Sequence, residues 1–443
     1  MKPPKSRKAE LAANASGGEK SNAETSEAAE FKMTELGSIP VDWEVKRIDQ
    51  CGDVVTGSTP PRGVSELWGG SFNWISAKDF KGKFIVSSEE KVTEAGKRYC
   101  RTLPANSVLV TCIASIGLNA IAKRPCATNQ QINAVICRDC DYEYFYYQCC
   151  FNESRLRQMA GQTAVPIIGK SQFEEFTIAL PKEIKEQRRI ARALSDVDEL
   201  ISALGKLIEK KRNIKTGSMQ QLLTGKTRLP GFGAKHAEFK QTELGPIPVD
   251  WEVKRLGDVS TLYNGYAFKS SSYVENGKYT VITIANVQDG SFSSDTANGI
   301  NYLPRDIQRH QILKEGDILI SMTGNVGRTC HVSRKNCLLN QRVGKFDSIK
   351  IDMSFLYIVV QDKNFISAMV DKGQGGAQAN ISKHDIEEYL FPLPTLAEQK
   401  AIAAVLSDMD AEIAALEADR AKYKRIKSGM MQELLTGKTR LKP

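Results

Sequence analysis

Two stretches of the chain carry apolar residues at a helical spacing, and each follows a region patterned for strands and turns. Ile190, Leu194, Val197, Ile201, Leu204 and Ile208 step by 4, 3, 4, 3 and 4 residues, the seam of a helix that packs along another helix. Ile402, Leu406, Met409, Ile413 and Leu416 repeat the pattern farther on. Thr395 followed by Glu398 predicts a capping box at the start of the second run, and Gly437 falls where that run should stop. Each run covers about 40 residues, or about 60 Å of helix at ~1.5 Å per residue, with Gly217 and Gly429 as places where it could bend. The matched registers predict that the two helices pair with each other, antiparallel. The alternative is that each packs only on its own globular domain. Upstream of the helices, Asp49–Leu180 and Gly257–Leu393 hold short Val/Ile/Leu/Tyr runs broken by Gly, Asn and Pro, the pattern of mixed domains with many short strands. Thr102–Ala122, the longest charge-free stretch, is interrupted by Pro104, Asn106, Ser107, Gly117 and Asn119, so it reads as buried strands with a turn and not as a membrane span.

This alternation arises because the chain is duplicated. AEFKMTELGSIPVDWEVKRI (Ala29–Ile48) returns as AEFKQTELGPIPVDWEVKRL (Ala237–Leu256), identical at 17 of 20 positions at an offset of 208. MQQLLTGKTRL (Met219–Leu229) returns as MQELLTGKTRL (Met431–Leu441), identical at 10 of 11 positions at an offset of 212. Between these blocks the halves diverge on a common skeleton: NSVLVTCIASIG parallels GDILISMTGNVG, ATNQQ parallels LLNQR, and KSQFEEFTIALP parallels KHDIEEYLFPLP. Such self-similarity defines the architecture before any single residue does. The first opening block has no helix before it, and the last helix has no block after it. The pieces fit if the second helix ends near residue 29, which predicts a closed, pseudo-twofold arrangement.

The 443 residues carry a formal net charge of +9, consistent with a polyanionic partner. Lys182–Arg228 alone holds 12 Lys/Arg against 6 Asp/Glu, either a solvated helix face or one turned to phosphates. Ten cysteines, eight of them before residue 151, and a Lys/Ala/Ser/Glu-rich start without an apolar segment point to reduced thiols in a cytoplasmic protein. Residues 1–28 read as a disordered extension.

No catalytic constellation survives inspection. TGKT at Thr224–Thr227 and Thr436–Thr439 resembles the end of a phosphate loop, but Gln220 and Gln432 stand where its first glycine is required. Cys137 and Cys140, followed by Cys149 and Cys150, could hold zinc, yet the second half lacks all four; packed thiols are the better reading. Asp79 with Glu89, Glu90 and Lys91 suggests a nuclease only faintly and has no counterpart in the second half. His236, His310, His331 and His384 are too scattered for a triad. The expectation is a binding protein with no catalytic residue and no metal.

The TELG-IP-DWEV blocks and the LLTGKTRL helix ends, alternating with two variable regions over about residues 29–443, resemble the specificity subunits of type I restriction–modification enzymes. The resemblance implies an α+β chain of two mixed α/β target-recognition domains, separated by two long helices in an antiparallel intramolecular coiled coil. The expected divisions are 1–28, extension; 29–180, first recognition domain; 181–236, first spacer helix and linker; 237–392, second recognition domain; and 393–443, second spacer helix and end. It implies binding to double-stranded DNA at a bipartite site, with helix length as the ruler. Half-sites about 34–36 Å apart would share one face of the duplex. It also implies partners: two modification (methyltransferase) subunits and ATP-dependent restriction subunits, which carry S-adenosylmethionine, ATP and Mg, while this chain binds no cofactor. The competing readings are a self-sufficient nuclease or methyltransferase, and a coiled-coil scaffold with two protein-binding modules.

Base edges are read by Arg or Lys at guanine and Asn or Gln at adenine, on loops of the variable regions. The first region offers Lys78, Asp79, Lys81, Lys83, Arg98, Arg101 and Lys170, the last closing the loop Gly161–Lys170. The second offers Asn286, Arg305, Arg309, Asn325, Arg328, and Gln378 and Asn380 in the loop Gly373–Asn380. Asn129 and Asn340 recur in both copies, so a structural or phosphate role fits them better. Trp43 and Trp251, in the repeated blocks, are expected to be structural or to dock a partner.

The predicted closure is directly testable. A chain circularly permuted near residue 235, its native ends joined by a linker, should fold and keep its DNA specificity in a binding assay. Loss of folding would count against closure.

Overall fold

The computed structural model describes residues 30–161, 165–233, 238–293, 298–373 and 379–441. The extension expected at 1–28, His236 and Gln378 lie outside the described residues. The chain divides into two compact units, Met1–Leu200 with Tyr423–Pro443, and Ile201–Lys422.

In unit 1 the charge-free stretch forms Val108–Thr111 and Asn119–Ala122, two of the three inner strands of a five-stranded sheet. Its order is 52–56, 132–137, 108–111, 119–122, 84–85, antiparallel except for the last pairing. A smaller sheet joins Trp68–Ile75 to Cys126–Thr128 in parallel and to Glu90–Val92 in antiparallel. Unit 2 repeats the plan: one sheet runs 260–264, 343–348, 318–321, 329–331, and a second runs 298–300, 279–282, 337–339, 312–313. In each unit the opening block forms a hairpin and then a strand paired with the last strand of the variable region, Trp43 opposite Pro181 and Glu252 opposite Leu393. That pairing ties the ends of each globular domain together. Among the described residues, no helix is long and apolar enough to cross a membrane.

Both seams are helical from end to end, Ile184–Leu223 and Leu396–Leu434, so neither Gly217 nor Gly429 interrupts them. Gly225 (φ +68°) and Gly437 (φ +72°) take the left-handed conformation just past each end, where a side chain would cost energy and glycine does not. Within unit 2 the two helical segments run antiparallel, with Lys211 2.7 Å from Glu412 and Lys215 2.6 Å from Asp410. Arg212 also pairs with Glu417. These three of the twelve cations of the basic run are thus paired with the partner helix. Within unit 1, Lys427 lies 2.7 Å from Asp198, at the repeat positions of Lys215 and Asp410.

Packing on a globular domain happens as well, and it crosses the repeats. The unit 1 core takes Ile190, Ala191 and Leu194 from the start of the first helix, together with Leu434 and Leu435 from the end of the second. The unit 2 core takes Ile402, Ala403 and Leu406 with Met219, Leu222 and Leu223. Each helix therefore begins in the core of its own repeat and ends in the core of the other.

Charge fixes these junctions. In unit 2, Arg228 donates to Glu398 (Nη2 to Oε2, 2.7 Å) and to Asp250 (3.0 and 2.9 Å), while Trp251 Nε1 donates to Glu398 at 2.9 Å. In unit 1, Arg440 donates to Glu186 (2.7 and 2.8 Å) and to Asp42 (2.8 Å, twice). Glu398 and Glu186 are almost fully buried, and so are both indoles, Trp43 and Trp251, which places those tryptophans in the packing. Thr395 Oγ1 does accept from Glu398 N, at 3.4 Å, but the Glu398 carboxylate serves Arg228 and not a capping box. The closing glycines are pinned too: a Cβ on Gly225 would lie 2.5 Å from Pro248, and one on Gly437 2.5 Å from Pro40.

Removing the cation leaves a buried carboxylate without its partner, which costs about 3–5 kcal/mol. Arg440→Met should lower stability by that order in urea unfolding, and adding Glu186→Gln should recover part of the loss. The guanidinium of Arg228 holds the Asp250 carboxyl below its ordinary 3.8. Its stabilisation is therefore complete above about pH 4 and fades as pH falls toward the lowered value. Asp250→Asn should flatten that part of the acid-unfolding curve.

Candidate nucleic-acid interface

The divergent loops of both units stand on one scaffold. The turn between Val108–Thr111 and Asn119–Ala122 is stitched to a second loop, with Ala114 N donating to Pro166 O (3.0 Å) and Ile168 N to Cys112 O (2.8 Å). In unit 2, Gly324 N donates to Ala379 O and Ile381 N to Met322 O, both at 2.9 Å. Ala114 (φ +60°) and Gly324 (φ +74°) share the left-handed turn position. Thr111 Oγ1 accepts from Leu118 N at 3.0 Å, as Ser321 Oγ does from Arg328 N at 3.1 Å. A further turn is held by Asn129 and Asn340, whose side-chain oxygens accept from Gln131 N and Arg342 N, each at 3.2 Å. Beside them a Cβ on Gly57 or Gly265 would lie 2.1 Å from the Asn129 or Asn340 carbonyl oxygen.

On this scaffold, matched positions display different chemistry: Ser115 against Asn325, Leu118 against Arg328, Gln131 against Arg342. Arg328 is half-buried, and its Nη1 donates to Gln288 Oε1 at 3.1 Å. With its amide oxygen turned to the guanidinium, Asn325 accepts from the same group at 3.0 and 3.2 Å. Asn380 accepts from Thr323 Oγ1 at 2.9 Å, and Arg342 Nη1 donates to that hydroxyl at 3.3 Å. The structure thus gathers Asn325, Arg328 and Asn380 around two stitched loops, beside a cavity of about 380 Å³ lined by Asp289, Gly324–Arg328, Ile366, Val370 and Ala379. A guanidinium held by two amides keeps donors over for a base edge or a phosphate. Arg342 escaped the sequence reading. Its signal is a charge appearing in the second copy where the first has Gln131.

The other expected contacts divide by exposure. Lys78, Lys81, Arg98 and Lys170 are exposed in unit 1, as are Arg305 and Arg309 in unit 2. Lys81 pairs with Glu89 at 2.8 Å, Lys170 with Glu174 at 3.3 Å, and Arg101 Nη1 donates to Thr56 O at 2.8 Å. Three residues expected to contact DNA are built into the fold instead. Asp79 is buried, accepting from Ser76 N and from Glu89 N at 2.8 Å each. Asn286 is the same pin in unit 2, accepting from Thr283 N at 2.8 Å and donating to Ser293 O at 2.9 Å. Lys83 spends its ammonium on Glu143 (2.6 Å), Ser195 (2.9 Å) and Tyr147 (3.1 Å).

The acids that faintly suggested a nuclease each have a cation of their own or an internal role: Glu89 pairs with Lys81, Glu90 with Arg62, and Asp79 pins its turn. Burial pushes the Cys112 and Cys150 thiols up to about 11, so they remain protonated packing groups. Among the described residues, no group of three or more His, Cys, Asp or Glu side chains is placed to hold a metal ion.

The family model for the type I restriction modification DNA specificity domain matches residues 40–213 and 248–426. The chain is 29% identical over 433 residues to the type I restriction enzyme MjaVIII specificity subunit of Methanocaldococcus jannaschii, covering 93% of this chain and 96% of that one. It is 28% identical over 432 residues to the MjaIX specificity subunit of the same organism, covering 93% and 97%. Its fold resembles the crystal structure of the type I restriction–modification S subunit from M. genitalium, with a TM-score of 0.56 and 16% identity over 92% of this chain and 98% of that one.

The inward-turned residues predict a separation of effects in urea unfolding. Asn286→Ala and Lys83→Met should each cost about 1–3 kcal/mol by stranding buried polar partners. Lys78→Ala, on the surface, should stay within about 0.5 kcal/mol of the parent.

Proposed function

Because this chain belongs to the type I restriction–modification DNA specificity family, we propose that it reads a bipartite DNA site, one globular domain to each half, and presents that site to catalytic partner subunits. The observation that carries this reading is the contrast between what the copies share and what they do not. Buried charge knots, turn pins and close-packed glycines recur at matched positions, while exposed loop residues on that scaffold differ. A duplicated frame with two different surfaces suits two different short sequences, since sequence is read by groups at base edges and position is set by backbone contacts.

The long helices supply the spacing. Lys211, Arg212 and Lys215 are paired with acids of the partner helix, which supports a spacer role over a phosphate-binding one for that face. The proposal assigns catalysis elsewhere: two modification subunits bring S-adenosylmethionine and methylate adenine, and restriction subunits bring ATP and Mg for translocation and cleavage. The full chain is non-catalytic and binds none of these cofactors.

Reconstitution tests this. The full chain alone should turn over neither DNA nor cofactor and should bind duplex with an affinity that falls steeply as salt rises. With modification subunits and S-adenosylmethionine it should direct methylation to one two-part motif, read by methylome sequencing. Methylation by the chain alone, or binding without sequence preference in the assembled complex, would refute the proposal.

A further inference from the structure

The small sheets of the two units are built alike but open onto different surfaces. In unit 1 the edge strand Glu90–Val92 leads into the short helix Glu94–Lys97, capped by Thr93. Gly96 packs that helix down so tightly that a Cβ would lie 2.1 Å from Leu67 O. In unit 2 the matching strand Asn298–Ile300 is followed by no such helix, and the chain loops away. A cleft of about 500 Å³ lies there, walled by Tyr266, Phe268, Ile300, Tyr302 and Leu303. The Tyr266 and Phe268 rings meet at 4.9 Å. Tyr302 stands on the lip with 85% of its surface exposed.

Charge and asymmetry identify the occupant. Lys269 lines the cleft, and Arg305 and Arg309 follow Tyr302 on its own loop. The acid of that loop, Asp306, is committed to the Tyr266 hydroxyl at 2.9 Å, which also ties the loop to the cleft wall. Aromatic walls with a cationic rim suit a base presented by a phosphate backbone. A partner subunit common to both repeats would be met by residues common to both, yet the lining of this cleft is not that of unit 1, where the cavity beside the matching edge strand is lined by Arg62, Trp68, Glu89, Glu90 and Lys91. The two halves of a bipartite DNA site are what differ between the copies.

We propose that the cleft of Tyr266, Phe268 and Tyr302 contacts the DNA half-site of unit 2, with the Tyr302 ring packed on a base and Lys269 and Arg305 on the flanking phosphates. Tyr302 is then a specificity-determining residue for that half-site alone. The inference rests on the DNA-reading role proposed above.

Tyr302→Ala, at a site so exposed that folding is not at stake, should be compared with Tyr302→Phe in the full chain assembled with its modification subunits. The expected result is about tenfold weaker binding of the cognate duplex by the alanine variant. Its methylated motif should be relaxed in one half and unchanged in the other, while Tyr302→Phe stays near the parent. Unchanged affinity and motif in Tyr302→Ala, or equal relaxation of both halves, would overturn the inference with the DNA-reading role intact. So would failure of the folded variant to assemble with its partners, which would make the cleft a protein-docking site. If the parent complex directs no sequence-specific methylation, the broader role fails, and this inference with it.

Discussion

A guanidinium buried against a glutamate at the start of each long helix is the interaction on which the rest of the molecule depends. Arg228 closes on Glu398 and Arg440 on Glu186, and each reaches on to an aspartate of an opening block, Asp250 or Asp42. A desolvated ion pair adds little net stability over an apolar pair of the same shape, but it tolerates no wrong partner. Its contribution here is register. Three separate pieces of chain, a helix start, a helix end and an opening block, are held in one arrangement with an indole stacked beside them. Cores alone would allow the helix ends to slide; bidentate charge geometry does not.

With register fixed, the loops are free to vary. Below the surface the copies hold their turns by the same means: an acceptor side chain at Asp79 or Asn286, another at Asn129 or Asn340, and a glycine at 57 or 265 where no side chain fits. Above it they diverge, Leu118 against Arg328 and a short helix against an open cleft. Asp79 and Asn286 show how little residue identity matters to such a pin, since a carboxylate and an amide oxygen both accept from the backbone N–H three residues before.

The architecture was largely legible in the sequence because duplication and heptad spacing are patterns of many residues. Both helices, the closing glycines and the docking of the last block on the first follow from them. The antiparallel pairing follows too, with the addition that each helix end also enters a globular core. The candidate site was less legible because exposure is not written in residue type. Lys83 is a lysine like Lys78, and only the fold reveals that Glu143, Ser195 and Tyr147 surround it. Asn286 looks like a base reader until Thr283 and Ser293 are seen to use it. Arg342 and Tyr302 were visible only as differences between copies, a comparison that reading for charged loops does not make.

The exchange of helix ends gives the two units different histories during synthesis. Everything in unit 2 lies between residues 201 and 422, so its core can close as soon as that stretch has been made. Unit 1 spans residues up to 200 but also needs 423 onward, including Leu434, Leu435 and Arg440. The domain that leaves the ribosome first is thus completed last, and until then Glu186 has no cation and the groove for Leu434 stands empty. Damage to residues 423–441 would be felt not where they are attached but in the domain made hundreds of residues earlier.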